Sequence, residues 1–310
     1  MPSLRDETVS FISRQFFQQV TVRSFQFALP SVRSNAATEQ EQYEIVCDSE
    51  VQHELYVKLC DTQYPFERPS LDYMANFLQK FVQLLERLRA DIDDDLISFM
   101  IFAIANTGSK FSVRPVTTPQ FGPVTYVLNN KVNFKDDEQY ITINESRNMI
   151  SGYGTTGYRT WEAALALGEY IMCQQRETTK PPLVDVVGKR IFELGAGTGF
   201  LSLLCGKLGA AKVAGSDGFE DVLLRLRQNV EENKLGNVVE TRVFKWGNSS
   251  GDDTGNILER ESREAEYEYT DPVDLILGAD ITFDAEICEL LSSSVRPSEA
   301  TRPSTHLNDF

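Results

Sequence analysis

Short apolar runs alternate with helical patterns through the second half of the chain. Apolar residues at helical spacing predict helices over residues 200–208 and 219–233. Apolar runs of strand length stand at residues 190–194, 212–216, 240–245 and 273–279. Because strands and helices alternate, we expect an α/β fold with a parallel sheet covered by helices. A stretch rich in Gly, Ser, Asp and Glu, residues 247–272, predicts a solvent-exposed insert before the last strand.

The first half of the chain begins with helical patterns. Aromatic and leucine residues at helical spacing predict a helix over residues 70–90, with Ser70 as its N-cap. The apolar residues 96–105 predict a second helix that is buried on most sides. Residues 33–44 are polar, and we expect them to be mobile.

The patterns then change from helix to strand. A segment rich in Gly, Ser, Thr and Pro, residues 107–123, predicts a loop. Short strands at residues 124–128 and 140–144 predict a β-hairpin. Residues 1–150 therefore form a mainly helical accessory region with a hairpin, and they carry no recognisable catalytic motif.

Composition places the chain among ordinary globular proteins. Its length of 310 residues predicts roughly two domains, and 41% of the residues are hydrophobic. No apolar stretch approaches the length of about 20 residues that a membrane-spanning helix needs. The N-terminus lacks the apolar core of a signal peptide. We therefore expect a soluble, cytoplasmic protein with no membrane attachment.

Charge and cysteine usage narrow the expected partners. The formal net charge is −16, whereas proteins that bind nucleic acid usually need a basic patch, so no nucleic-acid partner is expected. An acidic surface is compatible with a basic protein or a lysine side chain as substrate, and equally with solubility alone. The five cysteines include no C-x-x-C pair, so neither a metal site nor a disulfide framework is expected.

A glycine-rich run stands between the first strand and the first helix of the second half. It reads Glu193-Leu194-Gly195-Ala196-Gly197-Thr198-Gly199-Phe200. Glycines at this spacing allow a tight turn and let a ligand approach the backbone closely. Asp217 ends the next strand, 22 positions after Gly195, where its carboxylate can accept hydrogen bonds from ribose hydroxyls. Together these features predict a nucleotide-binding crevice.

The glycine spacing and Glu193 indicate which nucleotide is bound. Dinucleotide sites have the spacing G-x-G-x-x-G and hold a pyrophosphate at the helix N-terminus. Here the spacing is G-x-G-x-G, and Glu193 would repel a pyrophosphate but would suit the cationic sulfonium or amino group of S-adenosylmethionine. A nicotinamide-dependent oxidoreductase is therefore the least favoured interpretation. The structural alternative is that Glu193 is a strand-end acid satisfied by the local backbone.

From residue 152 to about 295 the sequence resembles the protein-lysine methyltransferase branch of the class I, seven-strand methyltransferases. Within that branch it resembles the elongation factor 2 lysine methyltransferase family. The segment 154–164, Gly-Thr-Thr-Gly-Tyr-Arg-Thr-Trp-Glu-Ala-Ala, is similar to that family's entry to the cofactor pocket. The resemblance implies a Rossmann-like α/β sheet, S-adenosyl-L-methionine as cofactor and translation elongation factor 2 as protein substrate.

The resemblance also implies roles for individual residues. The implied cofactor-binding residues are Trp161, Glu193, Gly195, Ala196, Gly197, Gly199, Asp217, Trp246 and Ala279. Trp161 would close over the cofactor, Trp246 would border the adenine, and the backbone of Ala279 would approach the cofactor. The alternatives are core packing for Trp161 and a loop aromatic at the sheet edge for Trp246. Thr160 is expected to cap the helix that Trp161 begins.

The resemblance places catalysis at Asp280 and Phe283. They belong to Asp280-Ile281-Thr282-Phe283, which matches the family's acidic-x-x-aromatic motif after the fourth strand. A lysine amine has a pKa of about 10.4 and must be neutral to attack a methyl group. Asp280 would attract and orient the amine and take up its proton, while Phe283 would line an apolar channel. The structural alternative is that Asp280 is the N-cap of a helix over residues 285–292.

The family's strand order is 3-2-1-4-5-7-6, and only four of these strands are recognisable here. We therefore expect an incomplete methyltransferase domain at residues 151–295, with the C-terminal strands missing, followed by a polar tail at residues 296–310. A βαβ unit takes roughly 30 residues or more, so three further strands do not fit into the 27 residues after Phe283.

Three functions remain open from the sequence. The leading hypothesis is a protein-lysine N-methyltransferase. A non-catalytic cofactor-binding or regulatory remnant of the same family is the second, because of the missing strands. A small-molecule methyltransferase is the third, and Phe283 after Asp280 disfavours it because this arrangement suits an amine substrate.

Overall fold

The chain divides into two compact units, Met1–Arg159 and Thr160–Phe310. The computed structural model describes residues 3–30, 39–61, 67–107, 121–128, 140–146, 155–176, 181–246, 272–283 and 285–294. The predicted insert and the polar tail fall almost wholly outside these residues, as do residues 108–120 of the predicted loop. Among the described helices, none is both long and apolar enough to span a bilayer.

The first unit opens with helices. They are α1 (Leu4–Phe17), α2 (Glu39–Cys47), α3 (Ser49–Leu59), α4 (Leu71–Leu88) and α5 (Asp94–Asn106). A capping box starts α1, because the Ser3 hydroxyl accepts from the Asp6 amide and the Asp6 carboxylate accepts from the Ser3 amide. The Ser70 hydroxyl accepts from the Tyr73 amide at 3.3 Å, which confirms the predicted N-cap of α4.

Aromatic rings form the centre of this unit's core. Phe77 on α4 is fully buried, and its ring centroid lies 4.9 Å from those of Phe16 and Phe25. Phe27 stacks on Phe81 with a centroid distance of 5.1 Å. Offset and edge contacts of this kind stabilise a core beyond the burial of their area. The periodic aromatic residues that predicted α4 therefore do face a core.

One prediction for the helices was wrong, and another falls partly outside the described residues. The helix α5 is present, but it is not buried on most sides, since Ile101 and Phe102 are 58% and 51% exposed. Periodicity shows that a helix face is apolar but not what packs against it. Of the polar segment 33–44, which was expected to be mobile, residues 33–38 lie outside the described residues and residues 39–44 belong to α2.

The predicted β-hairpin is confirmed as an antiparallel pair of strands, β1 (Phe121–Val127) and β2 (Tyr140–Ser146). Its register pairs Val124 with Ile143, and both side chains are buried on the same face. The strand β1 begins at Phe121, so the predicted loop does not extend to residue 123.

A parallel sheet forms the second unit, as predicted. Its strands are β3 (Arg190–Leu194), β4 (Lys212–Asp217), β5 (Val239–Val243) and β6 (Leu275–Gly278). The helices are α6 (Glu162–Arg176), α7 (Phe200–Lys207), α8 (Glu220–Glu232) and α9 (Ala285–Ser294). Ladders pair β3 with β4, β3 with β6, and β4 with β5, all in parallel.

The strand order in this sheet is β5-β4-β3-β6. Counted along the unit, this is 3-2-1-4, the order that the resemblance implies for the first four strands. Parallel strands all end at the same edge of a sheet, so the segments that follow β3, β4, β5 and β6 meet there. The segment after β3 lies between those after β4 and β6, and this edge carries the candidate site.

Candidate functional site

The glycine-rich run forms the loop between β3 and α7. Gly195, Gly197 and Gly199 have φ angles of +60°, +53° and +87°, in the left-handed region that favours glycine. The loop is fixed to the neighbouring strand because the Ala196 amide donates to the Ser216 carbonyl at 2.7 Å. The sequence motif therefore forms the tight turn that was predicted.

Neighbouring segments approach this loop closely. A Cβ atom on Gly195 would lie 2.9 Å from Cγ2 of Ile281 and 3.5 Å from Cζ2 of Trp246. A Cβ atom on Gly199 would lie 1.9 Å from Cδ1 of Leu226 on α8. Both positions exclude a side chain, so the glycines are needed for packing as well as for the backbone conformation.

Asp217 lies beside the loop at the end of β4. Its Oδ2 accepts from the Gly197 amide at 3.2 Å, and its Oδ1 accepts from the Phe219 amide at 3.1 Å. Burial raises the pKa of this carboxyl, while the backbone donors at Phe219, Gly197 and Gly218 act in the opposite direction. A carboxylate oxygen can accept more than one hydrogen bond, so both oxygens keep capacity for ribose hydroxyls.

Glu193 lies beneath the loop with only 3% of its surface exposed. The Ser202 hydroxyl on α7 donates to its Oε2. Burial raises the pKa of the Glu193 carboxyl to about 7, the hydrogen bonds from Ser202 oppose that rise, and the charge of Asp217 adds to it. Glu193 therefore connects β3 to the first turn of α7, and its contact with the cationic end of the cofactor stays a prediction.

Thr160 and Trp161 immediately precede α6. The helix α6 begins at Glu162, whereas a cap at Thr160 would place its first residue at position 161. The buried Thr160 hydroxyl instead lies 2.7 Å from the Thr198 hydroxyl in the glycine loop. This contact brings the start of α6 to the loop, and Trp161 is half-buried there. A contact between Trp161 and the cofactor stays a prediction.

Trp246 and Ile281 pack over the carboxyl end of the sheet. Both contact the hydrophobic cluster formed by Phe192, Leu194 and Ala214. The indole of Trp246 lies beside Gly195, and its contact with the adenine stays a prediction. Ala279 follows β6 directly and is half-buried.

Asp280 and Phe283 lie at the open end of the same edge. Asp280 is exposed and has a φ of +59°, and Phe283 is 63% exposed. The helix α9 begins at Ala285, so Asp280 is too far from it to be its N-cap, and that alternative was wrong. Their roles in catalysis stay predictions.

The residues at this edge fit the adenosyl part of S-adenosylmethionine. The left-handed glycines carry no side chains of their own, and the Asp217 carboxylate at the end of the neighbouring strand accepts from the Gly197 amide. Trp246 offers an aromatic surface beside Gly195. A carboxylate beside a glycine turn is a suitable acceptor for a ribose diol and repels phosphate.

The sequence analysis missed several residues that hold this loop. They are Ser202 beneath Glu193, Ile281 against Gly195, and Asn229 on α8, whose Nδ2 donates to the Thr198 carbonyl at 2.9 Å. Asn229 could have been noticed, because it interrupts the apolar stripe of α8 between Leu226 and Val230. The contacts of Ser202 and Ile281 depend on tertiary packing, which spacing along the chain does not show.

The strand order, the glycine loop and the acid after the second strand define a Rossmann-like class I methyltransferase, which uses S-adenosylmethionine. The family described as lysine methyltransferase matches residues 135–305, more than half of the chain. This chain belongs to that lysine methyltransferase family.

Three curated relatives are similar over long stretches. Protein-lysine N-methyltransferase EFM3 of Chaetomium thermophilum is 32% identical over 260 residues, which cover 81% of this chain and 71% of the relative. The protein of the same name from Saccharomyces cerevisiae is 28% identical over 181 residues, covering 54% and 48%. Protein-lysine N-methyltransferase EEF2KMT of Homo sapiens is 27% identical over 223 residues, covering 72% and 57%. The chain thus spans between about half and about 70% of these relatives.

Proposed function

We propose that this chain is a protein-lysine N-methyltransferase that acts on translation elongation factor 2 in the cytoplasm. One observation carries the proposal. The strand order places Asp217 and Asp280 after the two strands that flank β3, so the glycine loop lies between two acids. One acid suits a ribose and the other suits an incoming amine, with the glycine loop between them.

The cofactor end of the site would use residues that are already fixed by the fold. Bound S-adenosylmethionine supplies an electrophilic methyl group on a cationic sulfur. Asp217 would accept hydrogen bonds from the ribose, and its geometry is held by the Gly197 and Phe219 amides. Trp246 would cover the adenine from the side of Gly195. Because two backbone amides already fix the Asp217 carboxylate, the ribose would be bound in a defined orientation.

The substrate end of the site centres on Asp280. In the described part of the chain, four non-glycine residues have a positive φ. Three of them, Gln19, Arg89 and Lys234, follow the end of a helix, where this conformation is common. Asp280 follows a strand instead, so helix termination does not explain its conformation. Unusual backbone conformations cluster at functional sites, which supports a functional role for Asp280.

A lysine substrate requires the chemistry that Asp280 and Phe283 can provide. The substrate ammonium would be attracted by the exposed Asp280 carboxylate, which could accept its proton directly or through water. The exposed ring of Phe283 would shield the amine from water, and an apolar surrounding favours the neutral amine. The neutral nitrogen would then be aligned with the methyl group, which contributes strongly to rate.

The choice of elongation factor 2 rests on the relatives. The names of the two fungal relatives specify protein-lysine N-methylation, and the name of the human relative, EEF2KMT, is the one that points to elongation factor 2. The net charge of −16 is consistent with a substrate that presents a basic side chain.

The test is a transfer assay with purified chain, labelled S-adenosylmethionine and a lysate of cells that lack the endogenous activity, together with a measurement of cofactor binding. We expect label on a lysine of elongation factor 2. The variant Asp280→Asn should lower the rate by roughly 100-fold and should leave cofactor binding intact, because it removes the proton acceptor alone. Glu289→Gln, which changes an exposed acid on α9, is the matched control and should transfer at the parent rate.

The assay also separates the alternatives. Cofactor binding without label on any protein would contradict the catalytic proposal and would favour the cofactor-binding remnant. Label on another protein, with none on elongation factor 2, would overturn the substrate but not the activity. Equal rates for the Asp280→Asn variant and the parent would rule out the role of Asp280.

A further inference from the structure

The helix α8 faces the glycine loop through two side chains that lie one helical turn apart. Leu226 fills the space beside Gly199, where a Cβ atom would lie 1.9 Å from its Cδ1 atom. Asn229 follows three positions later on the same face and is fully buried. The loop is therefore contacted by one apolar and one polar group of α8.

The polar group of this pair begins a buried chain of hydrogen bonds. Asn229 Nδ2 donates to the Thr198 carbonyl at 2.9 Å, and the hydroxyls of Thr198 and Thr160 lie 2.7 Å apart. All three residues are at most 6% exposed. The chain thus runs from α8 through the loop to the residue before Trp161, and it joins three separate segments at Thr198.

The backbone of Asn229 belongs to the regular helix α8. Its backbone carbonyl accepts from the Asn233 amide at 3.1 Å and from Asn233 Nδ2 at 2.7 Å. An asparagine inside a helix is less favourable than an alanine or a leucine, and the neighbouring stripe consists of valine and leucine. Packing alone would therefore be served better by an apolar residue, so the amide needs another explanation.

The position of Thr198 explains why an amide is useful there. Thr198 stands between Gly197, whose N–H donates to Asp217, and Gly199, whose N–H donates to the Ala196 carbonyl at 2.8 Å. A shift of the Thr198 peptide would change both of these bonds. Holding its carbonyl from one side and its hydroxyl from the other fixes the shape of the whole turn.

We propose that Asn229 and Thr160 are positioning residues that hold the glycine loop in the shape that receives the cofactor. The part of this proposal that concerns cofactor binding rests on the proposed function. The part that concerns the shape of the loop does not. Neither residue needs to touch the cofactor, since both act through Thr198.

Two substitutions with conserved shape test the proposal. Asn229→Asp replaces the donor that faces the Thr198 carbonyl with an oxygen, and Thr160→Val removes the hydroxyl. Thr160→Ser keeps the hydroxyl and should restore the behaviour of the parent. The control is Val230→Ala on the same helix, which truncates a buried side chain and keeps the amide.

Two measurements on the full chain separate positioning from general stability. Amide hydrogen exchange of the peptide that contains residues 195–201, without ligand, reports on the loop. Calorimetric titration with S-adenosylhomocysteine reports on the cofactor site. We expect Asn229→Asp and Thr160→Val to speed exchange in this peptide and to weaken affinity by on the order of tenfold. Val230→Ala should lower the melting temperature without either effect.

The outcomes are distinct. The proposal would be overturned if the loop of Asn229→Asp exchanges at the rate of the parent. It would also be overturned if Val230→Ala, at the same loss of melting temperature, exchanges its loop as fast as Asn229→Asp does. If Asn229→Asp speeds loop exchange but the parent binds no S-adenosylhomocysteine, the positioning role stands and the proposed function fails. If both variants speed exchange while affinity stays at the parent value, the link to the cofactor is overturned.

Discussion

At the scale of single residues, the burial of Glu193 has a consequence for stability. Its carboxyl is enclosed between the loop and α7, and burial raises its pKa from the ordinary 4.5 to about 7. The folded chain therefore keeps this proton up to about pH 7, whereas the unfolded chain loses it near pH 4.5. Between these values the unfolded state binds fewer protons, so the contribution of Glu193 to stability falls as the pH rises.

The variant Glu193→Gln should remove this dependence. Relative to the variant, the parent is expected to lose roughly 2 kcal/mol of unfolding free energy between about pH 5 and pH 8. The Ser202 hydroxyl can still donate to the amide oxygen of glutamine, so the packing is kept. Denaturant unfolding of both proteins across this range measures the difference. Parallel pH profiles would show that Glu193 is not protonated in the folded chain.

The sequence was sufficient to predict which residues lie at the site, but not which side chains contact one another there. Left-handed glycines and an acid after the next strand have local causes, so Gly195 and Asp217 could be predicted from spacing. The partner of Glu193 on α7 was not predicted, and the contact of Glu193 with the cofactor stays a prediction. Such a partner depends on how α7 packs under the loop, and no motif encodes that.

At the scale of elements, the close contact between Gly199 and Leu226 makes a sharp prediction. Gly199→Ala would place a methyl group in a left-handed residue and against Leu226, at a distance that no packing tolerates. We expect a loss of about 2–4 kcal/mol of unfolding free energy. Gly236→Ala is the control, because nothing lies within 4 Å of its added Cβ atom, and its φ is outside the left-handed region.

Thermal and denaturant unfolding of the two alanine variants provide the comparison. The control should stay within about 0.5 kcal/mol of the parent. A Gly199→Ala protein as stable as the Gly236→Ala protein would contradict the packing of α8 against the loop.

The predicted helices were right where apolar residues dominate one face of the helix. The helices α4 and α8 show this regular pattern. The helix α1 was not predicted, since its buried face mixes Thr8, Ser13 and Gln15 with Val9 and Phe16. Buried polar residues on the inner face hide the periodicity that sequence patterns detect.

At the scale of the whole molecule, the second unit's topology followed from simple rules. Alternating strands and helices imply a parallel sheet, and the observed order β5-β4-β3-β6 agrees with the class implied by the resemblance. The topology of the first unit could not be predicted in this way, because no simple rule connects its helices and its hairpin. The second unit contains the glycine loop, Asp217 and Asp280. The proposed activity is therefore assigned to residues of the second unit.

The central claim is that the edge of this sheet binds S-adenosylmethionine through Asp217. Calorimetric titration of the chain with S-adenosylhomocysteine tests it most directly. We expect saturable binding by the parent and affinity at least about tenfold weaker in Asp217→Asn, because hydrogen bonds to a charged acceptor are lost. Asp221→Asn, an exposed acid at the start of α8, should bind as the parent does. No binding by the parent, or equal binding by Asp217→Asn, would contradict the claim.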